Sequence, residues 1–296
     1  MTDSIEPGEP AAGAIRRLAR AHLDDAIAAA GDEDRDAAVH DVRKALKKTR
    51  AILRLARGAL GEAVYQRENV ACRDVARRVA EARDAKARIE TLDRVRETFE
   101  GPLDDKPFPA VRAAFEAAHG AALAALDEGE VLAGVADALR VVRARVDEWP
   151  IEGEGFAVVS AGFCKVYRRG FAGRRAVEER PRAKVFHEWR KRAKYLRYQL
   201  DALASLWPPV FEVWEAELHA LTDLLGEAHD LVVLDEALDA LDAVALAERL
   251  ALRGLADARR RRLEGEARAL GAKLYADRPA VVVARVGRFW DVAQRQ

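Results

Sequence analysis

Four side chains that can bind anions recur in the same order and spacing in both halves of the chain. The first set is His40, Arg43, Lys47 and Arg50, and the second set is His187, Arg190, Lys194 and Arg197. Each set has the spacing i, i+3, i+7, i+10, which in a helix confines the four side chains to an arc of roughly 80°. The sequence therefore predicts two helices, each with a row of three cations and one titratable imidazole on a single face.

A row of like charges destabilises the free helix, because neighbours three and four residues apart repel each other. A bound polyanion would offset this repulsion through charge-assisted hydrogen bonds, with Arg as a two-pronged donor and Lys as a point charge. Helix geometry adds Lys44 and Arg54 beside the first row, and Lys191 and Tyr198 beside the second. A solvated basic surface would explain a single row, but duplication in matched order favours two rows that line one site for a polyanion.

Charge is segregated along the chain even though its total is zero. The 296 residues include 50 Lys and Arg and 50 Asp and Glu. Residues 39–60 hold seven Lys or Arg and one acid, and residues 180–200 hold eight and one. The net charge therefore gives no argument for nucleic acid or membrane binding, and the two basic segments carry the information.

Apolar residues recur at intervals of three and four almost throughout, without strand-like alternation, which predicts an all-α fold. The predicted helices cover residues 12–30, 35–59, 62–99, 109–127, 130–148, 156–179, 183–204, 208–242, 244–276 and 280–294. Glycine and proline mark the breaks, as at Gly101-Pro102, Pro107 and Pro208-Pro209.

The repeat extends beyond the two basic rows. Asp84 matches Asp230 and Glu90 matches Glu236 at an offset of 146, and residues 149–155 form a candidate linker close to the midpoint. We therefore predict two pseudo-twofold-related helical bundles, residues 1–150 and residues 151–296.

Several classes of protein are disfavoured by what the sequence does not contain. No apolar run approaches the 18 or so residues that span a bilayer, and the acidic start of the chain does not look like a secretory signal. Cys72 and Cys164 are far apart and outside any metal-ligand spacing, so we predict two buried thiols with no disulfide, metal or cofactor. The expectation is a soluble, cytoplasmic protein that does not associate with membranes.

Three motifs together resemble the CHAD family, the conserved histidine α-helical domain. They are His40-x-x-Arg43-x-x-x-Lys47-x-x-Arg50, then His187-x-x-Arg190-Lys191-x-x-Lys194-Tyr195-x-Arg197-Tyr198, and Leu225-Gly226-x-x-His229-Asp230-Leu231. Tyr167-Arg168-Arg169-Gly170 is similar to a further segment of the family. The resemblance covers nearly the whole chain and includes no Glu-x-Glu-x-Lys tunnel signature, so the triphosphate-tunnel enzyme that some family members carry is not expected here.

The resemblance implies two four-helix bundles with a basic groove or pore between them. It further implies that this groove binds inorganic polyphosphate, that the protein associates with polyphosphate granules, and that it is not an enzyme. The side chains expected to bind are those of the two rows and their neighbours, together with Arg83, Arg168 and His229. Arg83 and His229 occupy matched positions before Asp84 and Asp230, so the second half has a titratable group where the first has a permanent cation.

Three other functions compete with this interpretation. His40-Asp41 and His229-Asp230 are dipeptides used by helical metal-dependent phosphohydrolases, although cations beside His40 would oppose a divalent metal. RNA or DNA could bind the same rows, and Trp189, Tyr195 and Tyr198 could stack on bases. Trp189, however, lies about 200° around the helix from His187, which predicts that it packs in the core. A scaffold, in which the basic face pairs with acidic protein surface, is the third.

The two histidines of the rows are expected to respond to the ligand. His40 and His187 lie beside cations, which should hold the imidazoles neutral until an anion arrives. Both should gain protons when a polyanion binds, so the affinity should rise as the pH falls through about 6.5.

Overall fold

A computed structural model describes residues 4–99 and 108–295 of the chain. The described part contains twelve α-helices, two short 3-10 helices and no β-strand, which confirms the all-α prediction. The helices are α1 (Ala11–Ala29), α2 (Arg35–Leu55), α3 (Arg57–Leu60), α4 (Glu62–Arg78), α5 (Ala80–Thr98), α6 (Pro109–Glu128), α7 (Val131–Ala144), α8 (Ala157–Glu179), α9 (Ala183–Ala202), α10 (Pro208–Leu238), α11 (Leu246–Leu274) and α12 (Pro279–Ala293). The predicted breaks at Gly101-Pro102 and Pro107 lie outside the described residues.

Two predicted helices are wrong in their continuity: residues 35–59 are interrupted at Ala56, between α2 and α3, and residues 62–99 are interrupted at Val79. The chain leaves helical geometry at Val79, where φ is −106° and ψ is 15°, and this divides the second segment into α4 and α5. No glycine or proline lies near this point, so the sequence offered no local signal. The Val79 side chain is fully buried, so the break lies inside the packed core and not at a surface turn.

Two hydrophobic clusters form the core, and each draws residues from both halves of the chain. The larger one joins α1, α2, α4 and α7 to α8, α9, α12 and the first part of α10. The smaller one joins α5 and α6 to the last part of α10 and to α11. The two halves therefore share their cores across the midpoint, and the pseudo-twofold relation between them stays a prediction.

The two cysteines differ in burial. Cys72 is fully buried, as predicted, and burial raises the pKa of its thiol to about 12. Cys164 is only half-buried, so the prediction of a buried thiol is wrong at that position. None of the described helices is long and apolar enough to cross a bilayer.

Helix α8 crosses the carboxyl end of α2 at very short range. Gly162 faces the backbone carbonyls of Arg54 and Leu55, and a Cβ atom at this position would overlap both oxygens. A Cβ at Gly58 would lie 3.3 Å from the Cβ of Ala161 on the same side. Small residues here let the two helix backbones touch, and this contact positions the residues of α8 relative to those of α2.

Replacing Gly162 by alanine should destabilise the protein by about 3 kcal/mol, because α8 must move away from α2 to make room for the methyl group. Helix propensity alone would favour alanine by about 1 kcal/mol, so the sign of the effect identifies the close contact. The matched control is Gly254→Ala in α11, where nothing lies within 4 Å and a small gain is expected. Urea unfolding measures both changes, and an equal or greater stability of Gly162→Ala would contradict the close crossing.

Candidate functional site

Helix α2 begins at a well-defined cap and presents the first row of cations. Asp34 accepts hydrogen bonds from the backbone N–H groups of Asp36 and Ala37, at 3.0 and 3.1 Å, and so fixes the start of the helix. The apolar side of α2 is buried in the core: Val39, Val42, Leu46, Ile52 and Leu53. His40 and Lys44 are exposed, whereas the deeper cations of the row are half-buried: Arg43, Lys47, Arg50 and Arg54.

Helix α9 presents the second row in the same way. Its packing side is buried, including Trp189, which the sequence placed in the core and which has no exposed surface. The members of the row are all half-buried: His187, Arg190, Lys194 and Arg197. The row therefore lies at the edge of the core, where its charges are partly removed from water.

The two rows meet where α2 and α9 pack against each other. Burial, and after it the nearby cations Arg43, Arg190 and Arg83, together lower the pKa of Lys47 to about 8. On α9, burial together with Arg190 and Lys47 lowers the pKa of Lys194 to about 7. We call these five residues the basic cluster: Arg43, Lys47, Arg83, Arg190 and Lys194. Side chains from α2, α5 and α9 thus share one electrostatic environment.

Several donors of the basic cluster lack partners. Arg43 donates from Nη1 to the carbonyl oxygen of Ala76 at 3.2 Å, but its buried Nε has no partner among the described residues. The buried Nε of Arg190 is likewise without a hydrogen-bond partner in the described part of the chain. Unmet donors on desolvated cations are costly, and an anion would satisfy both the charge and the hydrogen bonds.

Two matched acids lie among these cations. Asp84 is close enough to Arg43, and Asp230 close enough to Arg190, to offset part of the lowering of each guanidinium's pKa. Asp230 also accepts a hydrogen bond from Arg94 Nη2 at 3.3 Å. Glu90 pairs with Arg83 as a third acid, and three carboxylates cannot neutralise five cations, so the basic cluster keeps an excess of positive charge.

The histidines occupy two different environments. The rings of His187 and His229 lie 4.1 Å apart between centroids, and the buried Nδ1 of His187 has no hydrogen-bond partner among the described residues. Burial, together with His187 and Arg190, lowers the pKa of His229 to about 4. Burial and then nearby cations also lower the pKa of His40 and of His187, in the direction that the sequence predicted.

The outer members of the rows are held by neighbouring side chains. Arg50 Nε donates to Asn69 Oδ1 at 3.1 Å, and the guanidinium of Arg54 lies 3.9 Å above the ring of Tyr195. Arg197 Nε donates to Glu215 Oε1 at 2.7 Å, and its guanidinium lies 5.2 Å from the ring of Tyr198. Arg83 and Lys191 pair with Glu90 and Glu188, respectively. These contacts restrain the side chains in the absence of a ligand.

The structure does not bring Arg168 into the basic cluster. Arg168 is exposed on α8, beside Lys165. Only the resemblance of Tyr167-Arg168-Arg169-Gly170 to the family segment had placed it with the two rows. Its neighbour Tyr167 is buried and donates from its hydroxyl to the carbonyl oxygen of Asp277 at 3.0 Å, so that part of the segment has a packing role.

Sequence reasoning missed two cations of α4. Arg73 and Arg77 line a cavity of about 280 Å³ together with Arg43, Lys47 and Arg50. Their spacing of four residues places them on one face of a predicted helix, and this spacing could have indicated a third basic face. Only the packing of α4 against α2 shows that this face points to the first row.

The four consecutive arginines of α11 are neutralised locally. Arg259 pairs with Glu227, Arg260 and Arg261 pair with Asp257, and Arg262 pairs with Glu266. These ion pairs favour a locally neutralised, solvated helix face over an extension of the binding site. In the described ranges, no three His, Cys, Asp or Glu side chains group as metal ligands.

The fold and this cluster define a class: an all-α domain that gathers cations from distant helices into one partly buried site. The CHAD domain family model matches residues 14–239, and the chain belongs to that family. The crystal structure of the CHAD domain from the plant Ricinus communis is similar in fold, with a TM-score of 0.65 and 19% identity over 93% of this chain and 95% of that chain. No protein with a curated description matches this chain in sequence.

Proposed function

We propose that this protein binds inorganic polyphosphate in a groove centred on the basic cluster, without turning it over. The observation that carries the proposal is the meeting of two matched rows of cations, partly desolvated and with unmet donors, from α2 and α9. From His40 to Arg54 the first row extends for about 21 Å along the helix axis, a length suited to a linear polymer of phosphates rather than to a single ion.

The aromatic residues near the rows argue against RNA or DNA as the preferred ligand. Trp189 is buried in the core, and the ring of Tyr195 is covered by the guanidinium of Arg54. Tyr198 is half-buried, and Arg197 lies near its ring. Base stacking requires an accessible aromatic face, whereas phosphate contacts require only cations and donors. An inorganic phosphate polymer needs only the cations and hydrogen-bond donors of the site and no accessible aromatic face.

The surroundings of the two His-Asp dipeptides support a binding role over that of metal ligands in a phosphohydrolase. His40 is exposed beside Arg83, Lys47 and Lys44, which would repel a divalent cation. The carboxylate of Asp230 is engaged by Arg94. A binding role accounts for these residues directly, and association with polyphosphate granules would follow from affinity for the polymer.

Isothermal titration with polyphosphate, tripolyphosphate and single-stranded RNA at equal phosphate concentration tests the proposal. We expect the long inorganic chain to bind at least about 10-fold more tightly than RNA. The logarithm of its affinity should fall linearly with the logarithm of the salt concentration, by analogy with DNA. Equal or tighter binding of RNA would contradict the proposed ligand, and weak salt dependence would favour the scaffold. The enzyme alternative is tested by measuring phosphate release from the polymer in the presence of Mg²⁺ or Mn²⁺. Release that is abolished by His40→Ala or His229→Ala would show that the protein is an enzyme.

A further inference from the structure

A second group of cations lies at the carboxyl end of the first row. We call it the α8 patch, and it consists of Arg57, Lys165, Arg168, Arg169 and Arg192. It combines Arg57 of α3 with residues of the consecutive helices α8 and α9, which are far from Arg57 in sequence. The close crossing at Gly162 explains their proximity, because Lys165 and Arg169 follow Gly162 by one and two helical turns and so emerge beside the end of α2.

We propose that the polyanion site continues from the basic cluster onto the α8 patch, which binds the part of a long polyphosphate chain that extends beyond the two rows. This inference rests on the proposed function and adds binding residues to it. A chain of a few phosphates would occupy the basic cluster alone, whereas a long chain would contact both.

Arg54 connects the two groups. Its guanidinium is held 3.9 Å above the Tyr195 ring, so it has a fixed position between the rows and the patch. Burial lowers the pKa of Arg54, and Arg50 on one side and Arg192 on the other lower it further. Arg192 in turn lies near Arg169, and Arg169 near Lys165. The cations therefore form an unbroken series from the first row to the surface of α8.

The α8 patch has too few acids to neutralise it. Arg57 is paired with Glu62, at 2.7 Å, and is also held 4.3 Å from the ring of Tyr65. Arg192 is paired with Glu188 at 3.2 Å. Within residues 4–99 and 108–295, Lys165, Arg168 and Arg169 have no ion pair. This differs from the arginines of α11, each of which has an acid within reach, and it leaves three cations available for phosphate.

Two substitutions on α8 test the inference: Lys165→Glu combined with Arg169→Glu. The variant should bind long-chain polyphosphate at least about 10-fold more weakly, and the slope of its salt dependence should fall by about 2, because two phosphate contacts are removed. Its affinity for tripolyphosphate should change by less than about twofold, since the shorter anion does not reach the patch. Titration calorimetry at several salt concentrations measures all three quantities.

The matched control is Arg261→Glu combined with Arg262→Glu on α11, which changes the net charge equally and should leave both affinities unchanged. A milder pair, Lys165→Gln with Arg169→Gln, serves if the acidic pair does not fold, and it should show the same selectivity for the long chain. Unchanged long-chain binding, or equal losses for the long chain and tripolyphosphate, would overturn the extension while leaving the proposed function intact. Absence of polyphosphate binding by the unaltered protein would instead refute the proposed function.

Discussion

Reversing two charges in either row should lower the affinity for long-chain polyphosphate at least about 100-fold. The variants are Arg43→Glu with Lys47→Glu in α2, and Arg190→Glu with Lys194→Glu in α9. Hydrogen bonds to charged groups are worth about 1.5–3 kcal/mol each, so loss of two corresponds to roughly a 100-fold effect or more even before repulsion by the new carboxylates. The loss should be similar for both variants because the four cations belong to one cluster: Arg190 contributes to lowering the pKa of Arg43, Lys47 and Lys194.

Fluorescence or calorimetric titration measures the effect, and circular dichroism checks that the variants are folded. The pair Arg261→Glu with Arg262→Glu is the matched control here as well, because it changes the charge equally on an ion-paired surface. Milder changes, Lys47→Gln and Lys194→Gln, test whether the two rows share one site without introducing buried carboxylates. If one row kept full affinity after the other had been reversed, each row would be a separate site and the shared-site proposal would be wrong.

Polyphosphate affinity should fall by about 10- to 100-fold between pH 7 and pH 9. In the free protein the pKa of Lys47 is lowered to about 8 and that of Lys194 to about 7, so both lysines lose their protons across this range. A bound polyanion favours the protonated forms, and binding must then take up as many as two protons, each worth up to tenfold per pH unit. The internal phosphates of the ligand stay ionised throughout this range, so the pH dependence of the affinity arises from groups of the protein.

Calorimetry in two buffers of different ionisation enthalpy counts the protons taken up. Lys47→Arg with Lys194→Arg should abolish the decline, because the guanidinium stays charged. Lys273→Arg, at an exposed position of α11, should leave it unchanged. The stability of the free protein should move in the opposite direction over the same range. A lysine with a lowered folded pKa is more often protonated in the unfolded chain, so the free energy of unfolding rises with pH above about 7.

The histidines should add a separate increase in affinity at lower pH. Burial and then neighbouring cations lower the pKa of His40 and of His187, so both imidazoles are neutral in the free protein near neutral pH and take up protons on binding as the pH falls through about 6.5. The double variant His40→Ala with His187→Ala should remove this increase and keep the decline above pH 7. A flat profile for the unaltered protein from pH 5 to 9 would exclude both groups as proton-linked binding residues.

The amino-acid sequence determined the helical fold, most helix boundaries and the composition of both rows. These features are local: apolar periodicity, glycine and proline at the breaks, and spacing on one helix face are all set within about 20 residues. Burial of Trp189 followed from the same periodicity, because its position lies opposite the row on α9. The sequence predicted the direction of the pKa shift at His40 and His187 but not its main cause, which is burial; at His40 the largest charge effect comes from Arg83 on α5.

Only the tertiary structure decided how the rows meet. Lys47 lies near Lys194, Arg54 lies over Tyr195, and Arg169 lies near Arg192, and each of these proximities depends on how two different helices pack. The break at Val79 was not predictable either, because no glycine or proline lies near it. Periodicity shows which face of a helix is buried but not which helix covers it, because that choice depends on the fit of whole surfaces, such as the contact between α8 and α2 at Gly162.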